Sequence, residues 1–399
     1  MFKLTLLCDH DITKKPRSSR MLQMLCGSRD KTLEFKINVI AKACENLESI
    51  PHISKNIKLF SFPADKTSKR RSHRENMLIQ ERCQKGDFES LIYISTRSYI
   101  KSFLDSLPIQ DLLIVEDITL LPFACDYKRH FPSCQILIDL REFYPLEYEN
   151  DCQWLLGLGR LFKHLCETYL PYVDLALSVS EGLCERYRYD YGIECEVFYS
   201  LPPYYPLSPH FTPKTNIKIL YHGFISPDRS SFELLDLGRK LLELGNTYKL
   251  FVMALSNQKG FLESFCDQAQ EIPTLEVLPP IKMQDIIPFS ASFDIGLIPF
   301  KPTTFNLSHC MPNKFFEYLQ ARLCIVSTPL EDISKFLKQY SFGVCSNGSE
   351  VDCIFQTLSN LSPSLIDTFK MHAHQNALQW SMLSNQDRIL HIIQNLLKK

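Results

Sequence analysis

In this chain of 399 residues, three short stretches carry residue types at spacings that suit chemistry on a phosphorylated ligand. In Met311–Ala321, Pro312 suits a first helical turn, and Lys314 and Glu317 then fall three apart on one helix face, pointing a cation and an anion the same way. Lys314 would neutralise a diphosphate, with Pro312 and Asn313 leading into the site, while Glu317 would accept both hydroxyl hydrogens of a ribose. A surface ion pair is the plainer alternative. In Tyr221–Arg229, Gly223 permits a sharp turn and Arg229 falls near the start of the next helix, where a guanidinium beside helix-terminal amides can clamp phosphate. The third stretch places Lys66, Lys69, Arg70, Arg71 and Arg74 within nine residues. It reads either as a solvated loop or as a docking patch for anionic lipid headgroups or a pyrophosphate-linked lipid acceptor.

These residues need elements to hold them, and the hydrophobic pattern supplies an α/β chain. Short apolar runs of strand length alternate with longer segments of helical period, the signature of strand–helix units around parallel sheets. Strands are expected at Phe2–Leu7, Phe35–Ile40, Ile57–Phe60, Leu112–Val115, Gln135–Ile138, Leu175–Val179 and Glu196–Tyr199. Between Pro202 and Pro213 five prolines fall within twelve residues, which neither a helix nor a central strand tolerates. The alternation restarts with Ile217–Tyr221, Leu250–Ala254, Leu275–Leu278, Ile295–Leu297, Ile325–Ser327 and Gly343–Cys345, and a last helix is expected over Ser384–Leu397. The division is therefore 1–203, a proline-rich linker 204–216, a second doubly wound domain 217–380, and a terminal helical segment 381–399 able to pack back on the first domain. Open sheets of this kind bind ligands beyond the carboxyl ends of their strands, which is where the first two stretches fall.

Composition excludes several classes. Lys+Arg 44 against Asp+Glu 45 leaves a formal charge of -1, too balanced for broad nucleic-acid binding. Glycine supplies only 13 residues, and neither a GxGxxG nor a GxxxxGK[ST] string exists, so NAD and P-loop sites are disfavoured. The 15 cysteines include no CxxC pair, and His372 and His374 would lie on different helix faces, so no metal is expected. The opening apolar stretch ends at Asp9-His10-Asp11, too short for a signal peptide, and no run is long enough to span a bilayer. A cytoplasmic protein is expected, at most touching the inner face of a membrane.

Three segments together resemble the retaining glycosyltransferases of the two-Rossmann-domain, GT-B type, in the "glycosyltransferases group 1" superfamily. PNKFFEYLQARLCIVSTP, from Pro312, resembles the family's donor-site helix and following strand, and HGFISPDR, from His222, its first carboxy-domain loop. DLLIVEDITLLPFA and LIDLREFYPLEY resemble its amino-domain strands. The resemblance covers most of the chain. It implies two Rossmann-like domains facing each other across a cleft, with Gly223, Arg229 and Lys314 on the donor diphosphate and Glu317 on the ribose. It also implies that Asn306, His309, Pro312 and Asn313 line the donor site, and that Asp117, Asp139, Arg141 and Glu142 line the place where sugar and acceptor meet. No bound cofactor is implied; a nucleoside-diphosphate sugar is the substrate, and a glycan or lipid-linked glycan the acceptor, as in bacterial-type surface polysaccharide synthesis.

The departures from that pattern are specific. His309 stands eight positions before Glu317, where many members carry a second glutamate, and Arg141 stands where a histidine is common. Asp9-His10-Asp11-Ile12-Thr13-Lys14-Lys15-Pro16-Arg17 replaces the glycine-rich first loop. If transfer occurs, Arg229 and Lys314 would stabilise the charge on the departing diphosphate, with a donor phosphate oxygen taking the acceptor proton and no protein nucleophile. A nucleotide-sugar epimerase and a non-catalytic sugar-nucleotide or glycan-binding protein remain the alternatives.

Overall fold

The computed structural model describes residues 1–27, 34–53, 57–64, 72–227 and 231–398. Contacts divide the chain into two units: Met1–Ser200 with Thr304–Asn306 and Asn385–Lys399, and Leu201–Thr303 with Leu307–Ser384.

Unit 1 is built on strands β1 (Phe2–Cys8), β2 (Phe35–Lys42), β3 (Lys58–Phe62), β4 (Leu112–Val115), β5 (Gln135–Leu140), β6 (Leu175–Ser178) and β7 (Cys195–Val197). They form one parallel sheet in the order β3-β2-β1-β4-β5-β6-β7. Unit 2 repeats the winding with β8 (Ile217–Phe224), β9 (Tyr248–Leu255), β10 (Leu275–Leu278), β11 (Ile295–Ile298), β12 (Cys324–Ser327) and β13 (Gly343–Cys345), in the order β10-β9-β8-β11-β12-β13. All thirteen expected strands are present. β4, β11 and β12 are buried along their whole length, as parallel strands covered by helices on both faces must be, which is why they read as unbroken apolar runs rather than as alternation.

The ends differ from expectation where side chains compete with the ladder. β7 stops at Val197 because Phe198, expected within it, turns its carbonyl to the Arg17 guanidinium at 2.6 Å. The proline-rich segment has no regular structure and is held to unit 2: Arg322 Nη2 donates to the Tyr205 carbonyl at 2.7 Å, and the Thr212 amide to Asp367 at 2.9 Å. The last helix runs Met382–Leu396, and Asn385 within it donates to the Tyr199 carbonyl at 2.7 Å.

In both sheets the winding reverses beside the first strand, between β1 and β4 and between β8 and β11. Diverging connections at such a point leave a crevice beyond the strand ends. In unit 2 the point is closed from below by Tyr318. Its ring packs so tightly on Gly296 of β11 that a Cβ there would stand 2.3 Å from a ring atom. The Tyr318 hydroxyl lies 3.1 Å from the Leu220 carbonyl of β8 and accepts from the His222 amide at 3.3 Å. One side chain thus pins the helix Asn313–Gln320 to the sheet at the switch point.

Candidate functional site

The helix Asn313–Gln320 is buried from Lys314 to Gln320. Leu, Phe and Tyr explain most of that face; a lysine and a glutamate do not, because such side chains are rarely taken out of water without a purpose or a partner. Lys314 is 8% exposed and Glu317 5%. The Lys314 ammonium rests 3.9 Å from the centroid of the Tyr221 ring and 4.7 Å from that of Phe300, so two aromatic faces from β8 and from the loop after β11 hold it by cation–π attraction. Gly223 borders it: the residue has φ +127°, and a Cβ there would stand 3.3 Å from Lys314 Nζ. Both the left-handed backbone and the close approach call for glycine. The first turn of the helix has no side-chain cap, Pro312 being its N-cap residue. Its amide groups and Lys314 belong to the same corner.

His222, one residue before Gly223, completes this corner. Its Nε2 lies 3.6 Å from Glu317 Oε2, too long for a hydrogen bond, and it has no hydrogen-bond partner although fully buried. Burial, and then the positive charge of Lys314, lower its pKa to about 3, so the imidazole is neutral and the contact with Glu317 is not an ion pair. His309, just after the short helix Phe305–Ser308 in the connection that follows β11, has its Nδ1 2.7 Å from Asp332 Oδ2 and its Nε2 3.7 Å from Glu331 Oε2. The two acids open the helix Glu331–Tyr340 and hold the ring in place.

Unit 2 therefore brings together Gly223, Lys314 and Glu317, with Pro312 and Asn313 at the start of the helix. Arg229 lies outside the described residues, as do Lys66, Lys69, Arg70 and Arg71; Arg74 is exposed on the helix His73–Lys85. Asn306 does not join the group. It belongs to unit 1, where its carboxamide accepts from the Phe143 amide at 2.6 Å and donates to the Phe143 and Leu146 carbonyls at 3.1 and 3.2 Å. With both donors and an acceptor taken, this side chain holds a turn and has little left for a sugar.

In unit 1 the carboxyl ends of β1, β4 and β5 gather a polar cluster. Asp139, expected at the acceptor, is fully buried in a two-pronged pair with Arg17, both contacts at 2.6 Å, so it anchors the helix Pro16–Cys26 instead of presenting a free carboxylate. Arg141 donates to the Glu116 carbonyl at 2.9 Å and to Asp117 at 3.3 Å. Asp117 also accepts from the Thr119 amide at 2.9 Å and from its hydroxyl. Glu142 is exposed, and its carbonyl accepts from the Tyr187 hydroxyl. Nearby Glu147 is pushed up to about 7, by burial first and then by Glu142 and Asp117. Sequence reasoning missed His222, Glu116, His10, Ser18 and Arg17. The available signal was position: His222 and Glu116 are neighbours of Gly223 and Asp117, which were singled out, while His10, Arg17 and Ser18 lie in the connection after β1 and the first turn of the helix that follows it.

No family profile matches the sequence, and no curated protein matches it. Solved structures do match in fold. Sucrose-phosphate synthase from Thermosynechococcus elongatus aligns over 100% of both chains with TM-score 0.71 at 9% identity. Anabaena HepE in complex with UDP and glucose aligns over 99% of this chain and 100% of its own, with TM-score 0.68 at 12% identity. An alpha,alpha-trehalose-phosphate synthase (UDP-forming) from Burkholderia vietnamiensis aligns over 98% and 100%, with TM-score 0.65 at 10% identity. The chain thus has the GT-B fold, with two Rossmann-like units built on parallel sheets, and its structural neighbours are GT-B glycosyltransferases.

Proposed function

We propose that this protein is a glycosyltransferase that moves a sugar from a nucleoside-diphosphate sugar to an acceptor hydroxyl with retention of configuration and without a bound metal. Unit 2 is the donor domain: Lys314 and Arg229 take the diphosphate over Gly223, and Glu317 takes the ribose. Pro312 and Asn313 bring the helix start to the phosphates, and His309 lies on the sugar side. Unit 1 is the acceptor domain, with Asp117, Arg141 and Glu142 as the residues that meet the acceptor. Bacterial-type surface glycan synthesis is the setting proposed for it, with Arg74 and the basic run before it touching an anionic membrane.

The observation that carries this reading is the Lys314 ammonium, buried between two aromatic rings, one helical turn from a buried carboxylate and against a glycine whose side-chain space it fills. As the glycosidic bond breaks, charge grows on the leaving diphosphate, and a cation fixed beforehand in a low-dielectric corner stabilises that state more than the ground state. The proton of the attacking hydroxyl passes to a donor phosphate oxygen, which becomes the leaving group's own acid, so charge and proton balance without a protein nucleophile. UDP is the first nucleotide to try, because neighbours of the same fold bind it. Thermal unfolding with UDP-, GDP-, ADP- and CMP-sugars tests the reading: at a hundred times its dissociation constant the true donor stabilises by about 2.7 kcal/mol. A panel that leaves the transition unmoved would count against it. His309 in place of a carboxylate favours, as the second reading, a protein that binds the donor without turning it over; incubating a stabilising donor with mono- and disaccharide acceptors and assaying free nucleoside diphosphate separates the two.

A further inference from the structure

The transfer proposed above leaves unused a hydrogen-bonded chain that runs through unit 1 from its surface to its interior. His10 stands two residues beyond β1, Glu116 immediately after β4, and Ser18 in the helix Pro16–Cys26 that follows β1, so the three meet at the switch point of the first sheet. His10 Nε2 lies 2.9 Å from Ser18 Oγ, and Ser18 Oγ lies 2.7 Å from Glu116 Oε2. Ser18 and Glu116 are completely buried, while His10 is partly exposed. Glu116 Oε1 is buried without a hydrogen-bond partner.

The neighbouring cations do not hydrogen-bond that carboxyl. Arg17 spends Nε and Nη2 on Asp139 and Nη1 on the Phe198 carbonyl, and Arg141 reaches the Glu116 main-chain oxygen and Asp117. Around Glu116 stand Asp139, Arg141, Arg17 and the Cys8 thiol; around His10 stand Arg141, Asp117, Lys15 and Asp11. A carboxyl with one satisfied oxygen in such a place is costly to ionise. Burial, and then the charge of Asp139, push Glu116 up to about 7, while burial and Arg141 lower His10 to about 4. Near neutral pH the imidazole therefore stays neutral while the buried acid changes its protonation.

Hydrogen-bond direction follows from that change. An ionised carboxylate can only accept, so Ser18 donates to Glu116 and His10 must donate through Nε2–H, leaving Nδ1 as an acceptor. A protonated Glu116 donates to Ser18, Ser18 donates to Nε2, and the ring proton then sits on Nδ1. We propose that His10, Ser18 and Glu116 form a proton relay whose outer end, Nδ1 of His10, binds a hydroxyl of a sugar-like ligand, as acceptor when Glu116 is ionised and as donor when it is protonated. The bookkeeping is closed: a proton arriving at Nδ1 displaces the Nε2 proton to Ser18 Oγ, whose own proton passes to Glu116 Oε2, and the reverse sequence returns it. His10 touches the ligand; Ser18 and Glu116 are positioning residues that fix its tautomer. Only the nature of the ligand rests on reading unit 1 as the acceptor domain.

Nitrogen-15 NMR of the His10 ring in the full chain, between pH 5 and 9, tests the relay with no nucleotide present, so its outcome is independent of whether a donor is ever found. In the unaltered protein the proton should move from Nε2 to Nδ1 as pH falls through about 7. Ser18→Ala, which interrupts the relay, and Glu116→Gln, which cannot ionise, should each leave one tautomer throughout. A tautomer that is constant with pH in the unaltered protein, or that still switches in Ser18→Ala, overturns the relay, and the first needs no variant to fold. Titration with glucose, mannose, galactose and glycerol should shift the His10 resonances with at least one of them, with an affinity that changes severalfold across the same pH interval and does not change in Ser18→Ala. No shift with any of the four overturns the hydroxyl-binding half.

Discussion

Replacing Lys314 by methionine separates a ligand-binding role from a packing role, because the structure gives the two different magnitudes. The ammonium lies 3.9 and 4.7 Å from the Tyr221 and Phe300 ring centroids, a geometry worth up to about 2 kcal/mol when desolvated. Burying the charge opposes that gain, and methionine keeps the packed stem, so the folding free energy should change by no more than about 1 kcal/mol. Loss of a charge-assisted bond to phosphate is larger, about 1.5–3 kcal/mol, or roughly 10- to 100-fold in affinity. Calorimetric titration with UDP and with uridine reads the difference: UDP should weaken by that factor, and uridine, which lacks the diphosphate, should be unaffected. His222 offers a check without ligand. Burial is the main cause of its lowered pKa and Lys314 the second, so in Lys314→Met the imidazole should titrate higher than about 3 and still below 6.5, followed by its C2 proton in NMR. UDP affinity unchanged within twofold, or uridine lost in parallel, would refute the assignment of Lys314 to the diphosphate.

Arg17→Ala strands the buried Asp139 and should destabilise unit 1 by about 3–5 kcal/mol in urea unfolding. Gly296→Ala puts a methyl into the Tyr318 ring and should cost roughly 1–3 kcal/mol, with the His222 amide losing protection in hydrogen exchange. Glu116 has its folded value raised from 4.5 to about 7, so its contribution to stability is fully present below about 4.5 and is lost as pH rises through 7. Glu116→Gln lacks that dependence, and its stability relative to the unaltered protein should rise by about 3 kcal/mol between pH 4.5 and 8 in paired unfolding curves. Gly223→Ala should weaken nucleotide binding with little loss of fold, since strain at φ +127° and crowding of Lys314 coincide there.

Leu112–Val115 was legible because a central parallel strand covered on both faces leaves a short, unbroken apolar run, and the partly exposed edge strands Leu275–Leu278 and Gly343–Cys345 also begin and end where the sequence places them. Lys314, Glu317 and Gly223 were legible because helix period and turn chemistry are local. Long-range pairing was not. Nothing local in Asn306 tells that it closes a turn 163 positions away, or in Arg17 that Asp139, 122 positions on, takes its guanidinium. Glu116 was passed over for its neighbour Asp117 because strand alternation alone does not say which of two adjacent acids turns inward.

The composition of unit 1 bears on how the chain must fold as it is made. That unit holds Thr304–Asn306 and the segment from Asn385 onward as well as residues 1–200, so its last pieces leave the ribosome after nearly all of unit 2. The newborn first unit must wait, incomplete, while some two hundred further residues are synthesised, and at ordinary elongation rates that wait lasts on the order of ten seconds or more. Cutting the gene at the proline-rich segment would make the wait permanent.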